Sequence, residues 1–221
     1  SAASDVDKRQ VFARKKTPTI EEYQDIFGMI QNQTERLSHL SEVLLDMTGI
    51  QSVERSDFIS LAELTDEVCC DLASIADQKK VELIQEEGDC TVTGSYLLLY
   101  RAVYNLVENA IKYNHSGGKV TVKISQTKAL PAAHSKPTDY ALVEVTDTGI
   151  GISPEFQEKI FDPFFRVDKS RSRAMGGAGL GLALVNEIAR QHGGQVKVLA
   201  SSEQGSTIAL VLPINSPLIE I

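Results

Sequence analysis

Apolar positions in the first quarter of the chain recur at helical spacing. Ile20, Tyr23, Phe27, Ile30, Thr34 and Leu37 step by three and four residues in alternation, and Leu40, Leu44 and Met47 extend the stripe after one additional three-residue step. Polar residues fill nearly every other position. A heptad seam on a helix of about 30 residues needs partner helices to cover it, so the segment reads as part of a bundle rather than as a core helix. Pro18 precedes the pattern and Gly49 ends it.

Beyond Gly49 the period changes repeatedly. Ser60 with Glu63 forms a capping-box signature, which predicts a helix from about Leu61 to Ala76 with Leu64, Val68, Leu72 and Ile75 on one face. Val81 to Gln85 and Cys90 to Val92 read as strands. Tyr96 to Tyr113 reads as a helix that turns Leu99, Val103, Leu106 and Ala110 to a core. Val120, Val122 and Ile124 alternate with Thr121, Lys123 and Ser125, the pattern of a half-buried strand over Gly118 to Ser125. Pro131 and Pro137 mark Leu130 to Thr138 as a loop before a strand over Tyr140 to Thr146. Ser153-Pro154 starts a short helix. A glycine- and cation-rich loop, Phe161 to Gly177, leads to a helix from about Gly179 to His192, and Gln195 to Ala200 and Thr207 to Leu212 close the chain as strands. The order predicts an α+β fold, a two-layer α/β sandwich with helices on one face of a mixed sheet, preceded by a long helix.

Composition narrows the function classes. With 42 % hydrophobic and 24 % charged residues, the 221-residue chain is not disordered throughout and can hold one large domain with a smaller appendage. Its net charge of −8 argues against nonspecific nucleic-acid binding and against polybasic membrane contact. No apolar run approaches the roughly 20 residues of a membrane span, and no secretory leader is visible at the start. Cys69, Cys70 and Cys90 are odd in number and contain no Cys-x-x-Cys pair, which points away from a disulfide framework or zinc site and towards a reduced, cytoplasmic chain.

Four stretches carry candidate chemistry. Asn105, Asn109, Lys112 and Tyr113 fall within one sector of the predicted third helix, because successive residues turn by about 100°. Amide oxygens can ligate a hard cation and a lysine can meet phosphate, although a solvated helix face has the same composition. Asp147-Thr148-Gly149-Ile150-Gly151 lies at a strand end, where glycines let backbone approach a ligand and a carboxylate can accept from an amino group. Gly176-Gly177-Ala178-Gly179-Leu180-Gly181 feeds a helix N-terminus, a natural phosphate cradle that fits neither the Walker nor the Rossmann pattern. Arg166, Lys169, Arg171 and Arg173 precede it, a cation cluster on an acidic chain. Gly205-Ser206-Thr207 is a turn entering the last strand.

In this order and spacing the stretches resemble the catalytic ATP-binding domain of sensor histidine kinases, the Bergerat-type fold shared with type II topoisomerase subunits, heat-shock chaperones and mismatch-repair ATPases. The N box is similar to Asn105–Tyr113, the G1 box to Asp147–Gly151, the F box to Phe161–Arg166, the G2 box to Gly177–Gly181 and the third G box to Gly205–Thr207. Leu37 to Ile50 resembles the second helix of the dimerisation and phosphotransfer hairpin. The resemblance implies a lead-in over 1–17, a remnant of that hairpin over 18–50 and the catalytic domain over 58–215.

It also implies roles. Asp147 would bind the adenine amino group, with Thr207 helping through water, and Tyr113 would pack against the base. Asn109 would hold Mg²⁺ between the phosphates with Asn105 assisting. Lys112 and Arg166 would meet phosphate oxygens, so that Asn105, Lys112 and Arg166 serve catalysis. Phe161 to Gly181 would be a mobile lid, and Gly149, Gly151, Gly177, Gly179, Leu180 and Gly181 would line the nucleotide site. The γ-phosphoryl of ATP would pass to a histidine and then to an aspartate of a response-regulator receiver domain, and the intact parent, soluble or membrane-anchored, would be a homodimer.

Two departures stand out. Ala178 replaces a residue that often carries a hydroxyl, and the acceptor motif, a histidine followed by an acid and later a proline, is not present. His39, His115, His134 and His192 do not match it, so the chain reads as a fragment that starts near the hairpin tip and lacks the first helix. An ATP hydrolase of the same fold is disfavoured, because those relatives place a glutamate where this chain has Asn105, and an amide is no general base. A nucleotide-binding or dimerising module without turnover is the other alternative.

Overall fold

The computed structural model describes residues 53–128, 139–167 and 179–214, together with scattered positions between Thr19 and Thr34. The expectations for residues 1–17, for Leu37 to Met47 of the seam, for His39 and His134, for the loop Leu130 to Thr138, and for Lys169, Arg171, Arg173, Gly177 and Ala178 lie outside them.

Ten-residue and nine-residue runs of alternating side chains build the centre of the sheet. Strands β1 (Asp57–Ser60), β2 (Glu82–Gln85), β3 (Thr91–Gly94), β4 (Lys119–Lys128), β5 (Asp139–Asp147), β6 (Gln195–Ser202) and β7 (Gly205–Pro213) are interleaved with helices α1 (Leu61–Lys79), α2 (Tyr96–Lys112) and α3 (Gly181–Gln191). Five strands form one mixed sheet in the order β2-β4-β5-β7-β6. Its β2–β4 pair is parallel and the others antiparallel. β1 and β3 form a separate antiparallel ribbon.

The helices lie together on one sheet face. Val120, Val122 and Ile124 of β4, Ala141, Val143 and Val145 of β5, and Leu210 and Leu212 of β7 share a core with Leu64, Val68 and Leu72 of α1, Leu99, Val103 and Leu106 of α2, and Leu184, Val185 and Ile188 of α3. α2 is the central helix, packed against both α1 and α3. Burying each such side chain contributes about 1.5–3 kcal/mol. Leu142, Ala209 and Val211 point the other way and form a smaller cluster on the opposite face. The fold is therefore the α+β sandwich read from the sequence, with a helix before it whose described positions include Ile20, Tyr23, Phe27, Ile30 and Thr34.

Several boundaries differ from the sequence reading, each for a local reason. β1 was not anticipated, because four residues pairing with β3 carry no period of their own. The capping box is only half made: Ser60 Oγ accepts from the Glu63 N–H at 3.2 Å, but Asp89, 29 residues away, accepts from Ser60 Oγ and the Ala62 N–H, both at 3.1 Å. α3 starts at Gly181 rather than Gly179, because Gly179 has φ +75° and cannot begin a right-handed helix. Ser153-Pro154 opens only a three-residue 3₁₀ turn. β7 begins at Gly205, so the turn residues Gly205 to Thr207 already belong to the ladder.

Candidate functional site

The predicted residues converge where the C-terminal half of α2, the end of β5 and the start of α3 meet. α2 buries Leu99, Val103, Leu106 and Ala110, which fixes its rotation and leaves the neighbouring sector, with Asn105 and Asn109, turned to α3. Asn105 Nδ2 donates to the Arg101 carbonyl at 2.8 Å, so its amide is oriented before any ligand arrives. Its Oδ1 would lie 2.6 Å from a Cβ on Gly181, and Asn109 Nδ2 would lie 3.7 Å from the same atom. Glycine at 181 thus lets the first turn of α3 approach both amides.

That turn has the features of an anion site. Leu180, the residue before the helix, is buried and offers no side-chain cap. The leading N–H groups of α3 therefore lack a side-chain partner from that position. Gly179 packs against the F box: the Phe164 N–H donates to the Gly179 carbonyl at 2.8 Å, and a Cβ on Gly179 would touch Arg166 Cγ at 3.1 Å. Phe164 has φ +65° and stays 59 % exposed, while Phe165 packs on Phe156 with ring centroids 5.7 Å apart.

α2 ends in a cluster of cations. Lys112 is half-buried; desolvation lowers its pKa, Glu108 opposes this, and Arg166 and Lys79 lower it further. Lys112 Nζ is 5.9 Å from the centroid of the Tyr113 ring. Lys79, the last residue of α1, reaches the carbonyls of Ile111 and Lys112 and so caps the C-terminus of α2.

Asp147 lies at the opposite edge. Burial pushes its carboxyl above the ordinary aspartate value, while the N–H groups of Gly149 and Ser206 pull it down; the Gly149 N–H is 2.7 Å from Oδ1. A Cβ on Gly149 would come 2.5 Å from the Tyr113 carbonyl, so only glycine lets this loop lie against the end of α2. Gly151 holds φ +69°. Thr207 Oγ1 is 3.0 Å from Thr146 Oγ1 on the neighbouring strand, but strand alternation turns this hydroxyl pair to the sheet face of Leu142 and Ala209, away from the helices and from Asp147, so Thr207 is not brought to the base site expected for it.

The structure therefore gathers Asn105, Asn109, Lys112, Tyr113, Asp147, Gly149, Gly151, Arg166, Gly179, Leu180 and Gly181 around one end of the sandwich, and leaves Thr207 on the other face of the sheet. It adds Lys79 and Ser201, which no sequence pattern singled out. Their partners lie tens of residues away, and only the strand register or the helix docking supplies the signal. Among the described residues no group of three His, Cys, Asp or Glu side chains gathers as a metal site, and no described helix is long and apolar enough to cross a membrane. The three cysteines are free thiols.

Comparison with known proteins places this arrangement. Residues 94–216 match the model of the family described as "Histidine kinase-, DNA gyrase B-, and HSP90-like ATPase". "Sensor-like histidine kinase SenX3" of Mycobacterium tuberculosis is 35 % identical over 185 residues, which cover 82 % of this chain and 43 % of that protein. "Sensor histidine kinase WalK" of Bacillus subtilis is 31 % identical over 188 residues, covering 83 % of this chain and 29 % of it. The chain thus spans less than half the length of these relatives. Among solved structures, "Mycobacterial sensor histidine kinase MprB" aligns with a TM-score of 0.56 at 29 % identity, over 72 % of this chain and 97 % of that one. The full-length ShkA structure in complex with AMPPNP aligns with a TM-score of 0.69 over 91 % of this chain and 41 % of that one, and at 23 % identity it bears on the fold alone.

Proposed function

Because this chain belongs to the sensor histidine kinases and carries their ATP-binding catalytic domain, we propose that residues 58–215 bind Mg·ATP and direct its γ-phosphoryl to a histidine, for onward transfer to an aspartate of a response-regulator receiver domain. The observation that carries the reading is the convergence at one end of the fold of a carboxylate, a pair of amides, a cation cluster and a helix N-terminus. Each suits one part of a nucleoside triphosphate.

Asp147, whose anion the Gly149 and Ser206 amides favour against the cost of burial, accepts from the exocyclic amino group of adenine. Tyr113 flanks the base, beside the Asp147–Gly149 turn. Lys112 and Arg166 meet the phosphate oxygens, with the α3 N-terminus adding partial positive charge.

The donor set also fits Mg²⁺. Asn109 and Asn105 present amide oxygens, which are hard ligands, and phosphate and water would complete the shell. When bound, the ion would neutralise charge between the phosphates; the chain's own part is to orient Asn105 through the Arg101 carbonyl and to bring both amides close to Gly181. Catalysis is then positioning and charge compensation, as phosphoryl transfer requires. Asn105 leaves no carboxylate to activate water at that point of α2, which favours transfer over hydrolysis. The segment 18–50 is assigned to the dimerisation hairpin, and the cytoplasm is the compartment that supplies ATP and the receiver domain.

Calorimetric titration with a non-hydrolysable ATP analogue, with and without Mg²⁺, tests the reading on this chain and on Asp147→Asn. Micromolar to sub-millimolar binding that strengthens with Mg²⁺ and is weakened at least ~10-fold by the substitution is expected, since one charge-assisted hydrogen bond is lost. Absence of binding by the unmodified chain would leave an interaction module. Incubation with ATP and a separate hairpin bearing an acceptor histidine then distinguishes kinase from binding module.

A further inference from the structure

The loop from Asp147 to Ile152 hangs between two anchors. On the α2 side the Ile150 N–H donates to the Tyr113 carbonyl at 3.3 Å. On the β6 side the Ile152 N–H donates to Ser201 Oγ at 2.7 Å. The same hydroxyl lies 2.9 Å from Ser206 Oγ and 3.4 Å from the Gly205 carbonyl. A hydroxyl has one proton and two lone pairs, so Ser201 can accept from the loop and donate into the β6–β7 hairpin at once. Ser206 is 5 % exposed, so its hydroxyl depends on this partner.

The strand register turns these contacts into a line. Ser201 pairs with Ser206 across β6 and β7, and Ser206 pairs with Asp147 across β7 and β5. Gly151, at φ +69°, lies against the Ser202 carbonyl, and Gly205, at φ +129°, lies against the Asp147 carbonyl. Neither glycine restrains the loop by itself. Both remove side chains so that loop and hairpin can touch, and the Ser201 hydroxyl then holds them together.

We infer that Ser201 is a positioning residue for adenine recognition: its hydroxyl clamps the Asp147–Ile152 loop to the β6–β7 hairpin and so aims the Asp147 carboxylate at the amino group of the base. This rests on the nucleotide reading above and adds to it the residue that sets base specificity. Ser201 acts through Asp147 and not by touching the base. The two N–H groups that hold the carboxylate come from opposite sides of the clamp, Gly149 from the loop and Ser206 from the hairpin. If the clamp opens, those donors separate, and the carboxylate loses the fixed direction that a charge-assisted bond to an amino group needs.

An inosine nucleotide makes the test specific. It carries a carbonyl where adenine carries the amino group, so it lacks the hydrogen bond from that group and keeps the ring, sugar and phosphate contacts. Binding of non-hydrolysable ATP and ITP analogues is measured by calorimetry on the full chain and on Ser201→Ala, Ser201→Thr and Asp147→Asn. Ser201→Ala is expected to lower the ATP-over-ITP preference roughly tenfold, the worth of one well-placed hydrogen bond. Ser201→Thr, which keeps the hydroxyl, is expected to restore it. Equal losses for both nucleotides, or an unchanged preference, overturn the inference and leave Ser201 a structural serine. Ser201→Cys, close in size but a weak hydrogen-bonding group, gives the same comparison should the alanine variant unfold. If the unsubstituted chain shows no preference for ATP, or Asp147→Asn leaves the preference intact, the nucleotide reading itself fails and the Ser201 inference falls with it.

Discussion

Asp147 accepts a hydrogen bond most strongly when ionised, yet its half-buried position favours the neutral acid. Desolvation raises its pKa from the ordinary 3.8, and the Gly149 and Ser206 amides recover part of the shift. An acid whose folded-state pKa is raised binds its proton more tightly in the folded chain. Its contribution to stability is therefore favourable at low pH and is lost as pH rises from the unfolded value through the folded one. Nucleotide binding has the opposite sense, since it favours the anion. Binding of an ATP analogue should weaken on acidification through a limb that starts above the ordinary aspartate range, and Asp147→Asn should abolish that limb. Titrations between pH 4 and 7.5 check this; an unsubstituted chain with the same affinity throughout would contradict the assigned role. At this scale the sequence named Asp147 and its glycines correctly as neighbours, because they are contiguous. It gave no sign of Ser201 or Lys79, which reach the site from another strand and another helix.

Helices α2 and α3 carry the two halves of the phosphate site, and a histidine fastens them at their far ends. His192, at the C-terminus of α3, donates from Nδ1 to the Ile188 carbonyl at 2.8 Å, which leaves Nε2 to accept from the Ser95 N–H at 3.0 Å, just before α2. The sequence suggested only a helix-terminal histidine. The structure makes it a half-buried bridge, and Gly94 leaves room for the ring. Burial lowers its pKa from 6.5, the bond to Ile188 opposes the change, and Arg55 adds to the lowering. Protonating Nε2 would set two donors against each other. A base whose folded-state pKa is depressed leaves the unfolded chain binding more protons between the two values. Stability is therefore complete above about pH 6.5 and falls as pH drops through that value towards the folded one. Urea unfolding at pH 7.5 and pH 5.5 should show this loss, and His192→Gln should be less stable at pH 7.5 but flatter between the two. A variant with the parent's pH dependence would remove His192 from the account.

For the whole molecule, the exposed feature is the described part of the upstream seam. Ile20, Tyr23, Phe27 and Ile30 are 77, 45, 68 and 50 % exposed, and their three-and-four spacing places them along one stripe of a helix. A stripe of that kind is covered by association, and the proposed assignment to a dimerisation hairpin supplies the reason. Light scattering over a concentration series should show reversible self-association, and Phe27→Glu should shift the chain to monomer while leaving ATP binding unchanged. A parent chain that stays monomeric at high concentration would contradict this.

The sequence by itself determined the identity and order of the elements other than β1: helical patterning in α1 and α2, period 2 in β4 and β5, and glycines at the bends. These are local properties, set by side chains a few residues apart, and so they can be read along the chain. It also set the chemistry available, because Asn105, Asn109 and Lys112 share one helix face whatever that helix packs against. Tertiary structure decided what no local pattern encodes. The mixed sheet brought Ser201, Ser206 and Asp147 into one cross-strand line. Docking of α1 put Lys79 under the end of α2, and Asp89 replaced Glu63 in completing the cap of α1. The left-handed turn at Gly179 moved the helix start to Gly181, against the two asparagines. Each of these joins residues far apart in sequence, and their pairing is fixed by the packing of a shared core and by strand register.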